Sequence, residues 1–349
     1  MTALEKYISS FYSEREFPAL AQQIICWKKT RPLEGMKILD GTPVFRNTMV
    51  KYCALLAGGA GLTVSAGKNI PADPQILEIL PRFNIRVATE KILQEKFDAV
   101  ADCAGRHCNI DSKYGFAELT RSGVEYYRQT SKPVFSVDSG ILKLFETALG
   151  TGDGFVRAMR HLGYGDFNGK KILIFGGGKV GRGIAYCSEK NGADVTVADK
   201  KIIRPMKNIN FLDANDENAV SAEIRNAWCI VSATGIPGAL TDFADRIGKS
   251  DALVANMGVE DEFSNALSEQ RVLNHKKPLN FILDEPTLLQ YIDPSMALSN
   301  EALLFLKNNP DKTGIFPPPE NIESMIFQQI RRSGIHGSAT DFILKEFSL

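Results

Sequence analysis

Residues 170–201, KKILIFGGGKVGRGIAYCSEKNGADVTVADKK, constrain the fold of this chain more than any other stretch. Ile172-Leu173-Ile174-Phe175 is a short, apolar, β-rich run of the kind that forms a strand buried in a parallel sheet. Gly176, Gly178 and Gly181 follow at the spacing G-x-G-x-x-G, and the next residues read as a helix with Ile184, Ala185 and Cys187 on its inner face. Residues 194–198 read as a second strand, with Asp199 at its end about 20 residues beyond the glycines. This spacing predicts a dinucleotide-binding turn. Gly176 permits the tight turn, Gly178 lets the backbone approach a pyrophosphate, and Gly181 lets helix and strand pack closely. The helix N-terminus offers unpaired N–H groups and a positive dipole end to that pyrophosphate. Asp199 accepts from the ribose hydroxyls and repels a 2′-phosphate, which favours NAD over NADP. Lys200, Lys201 and Arg204 beside it keep NADP as the less favoured alternative.

At 349 residues the chain is long enough for two domains, each with its own core. Lys plus Arg is 41 and Asp plus Glu is 41, so no net field attracts nucleic acid or anionic lipid. No apolar run approaches the roughly 20 residues of a membrane span. The first residues carry acids and no apolar signal core, so the expected location is cytoplasmic. The six cysteines form no C-x-x-C pair and read as reduced thiols. Cys103, His107 and Cys108 lie close together but fit no zinc module, so no metal is expected.

Residues 1–30 read as amphipathic helix. Strands are expected at 36–39, 62–65, 85–88, 98–102 and within 132–138, alternating with helices. Beyond Asp199 further strands are expected at 227–232, 252–256 and 280–283, and 320–349 reads as mostly helical. The predicted fold is α/β, with two doubly wound parallel-sheet domains. Residues 1–148 form a substrate or catalytic domain and 149–324 a Rossmann NAD-binding domain. Residues 325–349 pack back on the first domain or on a partner subunit, and their apolar helices point to a homodimer.

Several segments together resemble S-adenosylhomocysteine hydrolase. They are GTG at 150–152, NGKKILIFGGGKVGRGIA, CIVSATG at 229–235, ALVANMG at 252–258 and DPSMALSN at 293–300. In the first domain PVFSVDSGILKLFE and GFAELTRSGV extend the likeness, which runs from about residue 17 to about residue 330. In that family a tightly held NAD oxidises the substrate's ribose 3′-hydroxyl, homocysteine is eliminated, water adds and the ketone is reduced again. The resemblance implies that Gly176, Gly178, Lys179 and Val180 cradle the pyrophosphate and Asp199 the ribose. Thr120, Arg121 and Ser122 stand at the family's threonine run, and Ala233, Thr234, Gly235, Asn256 and Gly258 line the nicotinamide side. Lys143 matches the family's active-site lysine, an amine suited to taking the proton of the alcohol being oxidised.

The departures fall on the substrate side. Pro43 and Phe45 stand where the family has a histidine and a threonine, and Cys103 and Leu119 replace acids. Thr147 and Ala148 replace an Asp-Asn pair, Val259 and Asp293 replace histidines, and the family's C-terminal K-x-x-x-Y tail is not found. The expectation is therefore an NAD-dependent oxidoreductase-type enzyme acting on a small alcohol, ketone or amine in an interdomain cleft, on a substrate other than adenosylhomocysteine. Lys143, His107 and Asp138 are the candidate catalytic residues; Cys103, Arg106, Glu118 and Asp293 are the candidate substrate contacts. The alternatives are a genuine adenosylhomocysteine hydrolase and a catalytically silent NAD-binding paralogue. A plain two-domain 2-hydroxyacid dehydrogenase ranks below them, because His161 and His275 lie outside the expected turns.

Overall fold

The computed structural model describes residues 1–66, 70–201 and 204–347. Twelve strands are present among the described residues: β1 (Lys37–Asp40), β2 (Gly61–Val64), β3 (Arg86–Val87), β4 (Ala99–Asp102), β5 (Phe116–Glu118), β6 (Val134–Ser136), β7 (Lys171–Phe175), β8 (Asp194–Asp199), β9 (Asn210–Asp213), β10 (Cys229–Ser232), β11 (Leu253–Asn256) and β12 (Ile315–Phe316). They form two separate parallel sheets, and the chain divides into two compact units. Unit 1 comprises Met1–Lys143 and Leu289–Asp341; unit 2 comprises Leu144–Leu288 and Phe342–Leu349. Ser348 and Leu349, part of the expected C-terminal packing segment, lie outside the described residues.

This division differs from the expected boundaries at three places. The first break falls after Lys143 rather than 148, and 289–324, read as part of the dinucleotide domain, falls in unit 1. Residues 342–347, expected to pack on the first domain or a partner, belong to unit 2, where Phe342 stacks on Tyr186 and Glu346 pairs with Arg182. The helix Leu289–Asn308 explains the second difference. It is buried along much of its length, and its Asp293 accepts hydrogen bonds from Ala19 and Leu20 N–H at 2.9 Å each. Those amides are two of the unpaired donors at the start of the helix Pro18–Thr30, which opens on a proline at its first position. Asn300 Nδ2 reaches Gln23 Oε1 at 2.9 Å and the Lys51 carbonyl at 3.3 Å, tying the same helix to two others of unit 1.

The sheet of unit 1 runs β12-β6-β5-β4-β1-β2-β3, every printed pairing parallel. β4, β5 and β6 are buried at every residue, as expected of strands covered on both faces. Leu39, Phe97, Val100, Phe116, Tyr127 and Val134 form one of its core clusters. The sheet of unit 2 runs β11-β10-β7-β8-β9, again parallel throughout. Two strand readings need correction. Residues 280–283 form no strand; Leu279–Ile282 is a 3-10 turn, its Asn280 side chain donating to the Pro286 carbonyl. The sequence reading does not contain β5, β9 or β12: β5 is only three residues long and β12 two, and the β9 segment NFLD is partly polar and lacks a full apolar run.

Candidate functional site

In doubly wound sheets ligands collect beyond the carboxyl ends of the strands, where the strand order reverses direction. Unit 2 reverses between β7 and β10, and the glycine turn sits at the end of β7. Gly176 adopts φ +105°, a left-handed conformation that favours glycine, and its N–H donates to Ala198 O at 2.8 Å. A Cβ at Gly181 would overlap the Gly176 carbonyl oxygen, so only glycine lets the helix Lys179–Lys190 start this close. Gly178 is exposed, and a Cβ there would meet nothing within 4 Å. The turn is thus closed beneath and open above. Asp199, half-buried at the end of β8, accepts from Gly177 N–H at 2.7 Å with one oxygen and from Lys201 N–H at 2.9 Å with the other. These residues fit a dinucleotide: a diphosphate on the open face of Gly178, Lys179 and Val180, and a ribose diol on the preset carboxylate.

The turns after β10 and β11 are organised by a residue that the sequence reading did not single out. Glu262 is fully buried and accepts from Ser232 Oγ, from Thr234 N–H at 2.9 Å and Oγ1 at 2.7 Å, and from Gly235 N–H at 2.7 Å. The donors of Thr234 and Gly235 are therefore spent internally, and Ala233, Thr234 and Gly235 act as a fixed wall. Asn256 accepts from Gly258 N–H at 3.0 Å and donates to Glu260 O at 2.8 Å and Lys276 O at 2.6 Å. Glu262 closes the run Glu260-Asp261-Glu262, whose first two members are exposed; nothing in the sequence distinguishes the buried acid from its neighbours.

Unit 1 reverses between β1 and β4, and the carboxyl ends of its strands carry Asp40, Asp102, Glu118 and Ser136. Asp40 accepts from Lys51 Nζ and Thr42 Oγ1, both at 2.5 Å, and from Thr42 N–H at 3.0 Å; Lys51 is 1% exposed. Asp102 is fully buried. One of its oxygens accepts from Tyr127 Oη at 2.5 Å and from His107 N–H at 2.8 Å. Burial, then the charge of Glu118, pushes the Asp102 carboxyl up to about 7, against the lowering effect of these bonds and of Cys103 N–H. His107, 3% exposed, is pushed down to about 4 by burial and then by Arg106, so its imidazole is neutral at neutral pH. Two buried polar atoms here, Asp102 Oδ1 and His107 Nε2, have no hydrogen-bond partner. Both lie against Gly41: a Cβ there would stand 2.6 Å from His107 Nε2 and 3.4 Å from Asp102 Oδ1.

The other expected residues fall around this cluster or apart from it. Glu118 is buried and accepts from Ala104, Gly105 and Thr120 N–H and from Thr120 Oγ1, binding the Cys103–His107 turn to β5. Burial raises its carboxyl, and those bonds oppose the rise. Cys103 is buried, Arg106 and Asp138 are half-buried, and Arg121 and Ser122 are exposed at the start of a short helix capped by Thr120. Lys143 is 3% exposed, not a solvated surface lysine. Asp293, a candidate substrate contact by sequence, serves inside unit 1 as the cap described above; burial pushes it up to about 7. Asp40, Lys51, Asp102 and Tyr127 were not singled out. Lys51 interrupts an otherwise apolar helix face, which was the available signal. Among the described residues no group of three or more His, Cys, Asp or Glu is placed to hold a metal ion, and no helix is long and apolar enough to cross a membrane.

Fold and site together define a two-unit α/β protein with a Rossmann NAD(P)-binding unit. Residues 164–266 match the family NAD_binding_7, described as "Putative NAD(P)-binding". Beyond that unit, the chain is similar to the adenosylhomocysteinases. It is 27% identical to the adenosylhomocysteinase of Sulfurisphaera tokodaii over 71% of this chain and 66% of that protein. It is 23% identical to that of Thermoplasma acidophilum over 80% and 74% respectively. The S-inosyl-L-homocysteine hydrolase of Methanosarcina mazei matches at 26% over 71% and 67%. The chain thus spans about two thirds of the length of the first of these relatives.

Proposed function

We propose that this chain is an NAD-dependent enzyme that uses an adenosylhomocysteinase-like scaffold on a small alcohol, ketone or amine other than S-adenosylhomocysteine. One observation carries the reading: the sheet edge of unit 1 holds two buried, unpartnered polar atoms, Asp102 Oδ1 and His107 Nε2, at its switch point. Native proteins leave few such atoms without a reason, and a polar substrate group brought against either on a local opening of the turn would supply the missing partner. The protonated form of Asp102 can donate there, while neutral His107 can accept or donate according to tautomer. Bound NAD supplies reversible hydride acceptance. In this chain Asp199 orients the ribose, Gly178 to Val180 hold the diphosphate, and Lys143 takes or returns a proton. Arg106 suits a substrate carboxylate or phosphate. That two relatives bear names with different purine bases supports substrate variation on the scaffold. A homodimer in the cytoplasm completes the proposal.

The test begins with protein purified under native conditions, its dinucleotide released and identified by mass spectrometry. Panels of alcohols, amines and nucleosides are then screened for reduced nicotinamide by absorbance. A turned-over compound whose rate drops about 10²–10⁴-fold in Lys143→Ala supports the proposal. Brisk homocysteine release from adenosylhomocysteine would refute it. Dinucleotide binding with no response to any panel would favour the silent paralogue. Replacement of several family acid–base positions together, at Pro43, Cys103, Leu119 and Val259, supports that second reading.

A further inference from the structure

Arg182 lies on the dinucleotide helix one residue past Gly181, and its side chain is only 6% exposed. Its Nη2 pairs with Glu346, equally buried, and its Nη1 donates to the Arg204 carbonyl at 2.8 Å. The guanidinium also lies 6.0 Å from the centre of the Phe347 ring. One turn along the helix, Tyr186 stacks on Phe342 with ring centres 4.1 Å apart and planes 19° apart, and Ile343 is fully buried. The C-terminal residues 342–347 are therefore fastened to the helix that carries the phosphate turn. Through Arg182 they are also fastened to the backbone at Arg204.

Resting on NAD(P) binding by unit 2, we propose that Arg182 and Glu346 form a positioning clamp through which the C-terminal segment sets the discrimination between NAD and NADP. An adenosine ribose held on Asp199 would meet two opposed influences at its 2′ position. Asp199 is held by two backbone amides and repels a 2′-phosphate. Lys200, Lys201 and Arg204 are exposed cations close in sequence that would attract one. Which side prevails depends on how firmly Arg204 is held relative to Asp199. The bond from Arg182 to Arg204 O supplies a fixed point, and Glu346 keeps the guanidinium aligned for it. Without Glu346 a nearly buried cation would be left uncompensated and would reorient toward water. The fixed point is then lost, and Arg204 gains freedom to approach a 2′-phosphate. Neither Arg182 nor Glu346 needs to touch the cofactor.

The experiment is titration of the full chain with NAD and with NADP, for wild type, Glu346→Gln, Arg182→Lys and Phe342→Leu. The expected result is that Glu346→Gln and Arg182→Lys lower the NAD-to-NADP affinity ratio by about tenfold, the usual scale for coupling between sites. Phe342→Leu, which keeps the ion pair, leaves the ratio within about twofold. A merely structural pair would weaken both dinucleotides by the same factor, and an unchanged ratio overturns the clamp. Failure of wild type to bind either dinucleotide would overturn the cofactor reading itself, and the clamp with it. Should Glu346→Gln fail to fold, Arg182→Lys carries the same comparison.

Discussion

The switch points of the two units are built from opposite materials. In unit 2 the crevice after β7 is lined by glycines and backbone amides, with Gly178 facing open space and Asp199 preset by two N–H groups. In unit 1 the corresponding place after β1 and β4 is filled by the chain's own ionisable side chains: Asp40 on Lys51, and Asp102 between Tyr127 and His107. A backbone-lined crevice accepts any ligand with the right diphosphate geometry, so it survives change elsewhere in the sequence. A side-chain-lined crevice carries specificity, because every buried polar atom must find a partner. The comparison teaches that one unit presents a generic, backbone-lined crevice and the other a selective crevice lined by side chains.

The largest expected effect tests the filled side. Lys51→Met leaves Asp40 buried without its cation, which should cost about 3–5 kcal/mol in urea unfolding. Adding Asp40→Leu should recover most of that loss, since replacing both partners removes the stranded charge. If the single variant is as stable as wild type, the ion pair is not the organising feature of that crevice. Next comes the open side. Gly181→Ala drives a methyl into the Gly176 carbonyl, and a cost of about 3 kcal/mol is expected together with loss of dinucleotide binding. Retained NAD affinity by calorimetry would show the glycine spacing to be incidental.

A third prediction uses pH. Asp102 titrates near 7 in the fold and near the ordinary carboxylate value of about 4 when unfolded. The native state therefore holds a proton that the unfolded chain has released. That contribution is full below about pH 4 and is lost as pH rises through 7. His107 behaves oppositely: with a folded value near 4 against about 6.5 unfolded, its contribution is present above pH 6.5 and lost as pH falls through 4. Asp102→Asn should gain on wild type between pH 5 and pH 8 by on the order of 3 kcal/mol, read from denaturant midpoints. A difference that stays flat with pH would mean that Asp102 is solvated. The smallest effect sharpens the cofactor half: Asp199→Ser should raise NADP affinity relative to NAD by roughly tenfold, about 1.4 kcal/mol.

Much of unit 2 was legible beforehand, because its evidence is local. Gly176, Gly181 and Asp199 act through conformations and spacings set within one strand–turn–helix–strand passage. The candidate site of unit 1 was legible only in outline. His107 and Glu118 were singled out and do meet at one sheet edge through the Cys103–His107 turn, but Asp102 and Tyr127, which join them, were not. Asp293 shows the same limit, since its partners Ala19 and Leu20 lie 274 and 273 residues away.

Apolar period and glycine stereochemistry are properties of neighbouring residues, so two parallel α/β sheets and a dinucleotide turn at the end of one can be read along the chain. Packing in three dimensions is what makes Glu262 close the turns after β10 and β11, buries Lys51 on Asp40 and places 289–308 in the first unit. Those outcomes depend on which polar groups are taken out of water together, and a buried donor selects its acceptor by position in space rather than by distance along the chain.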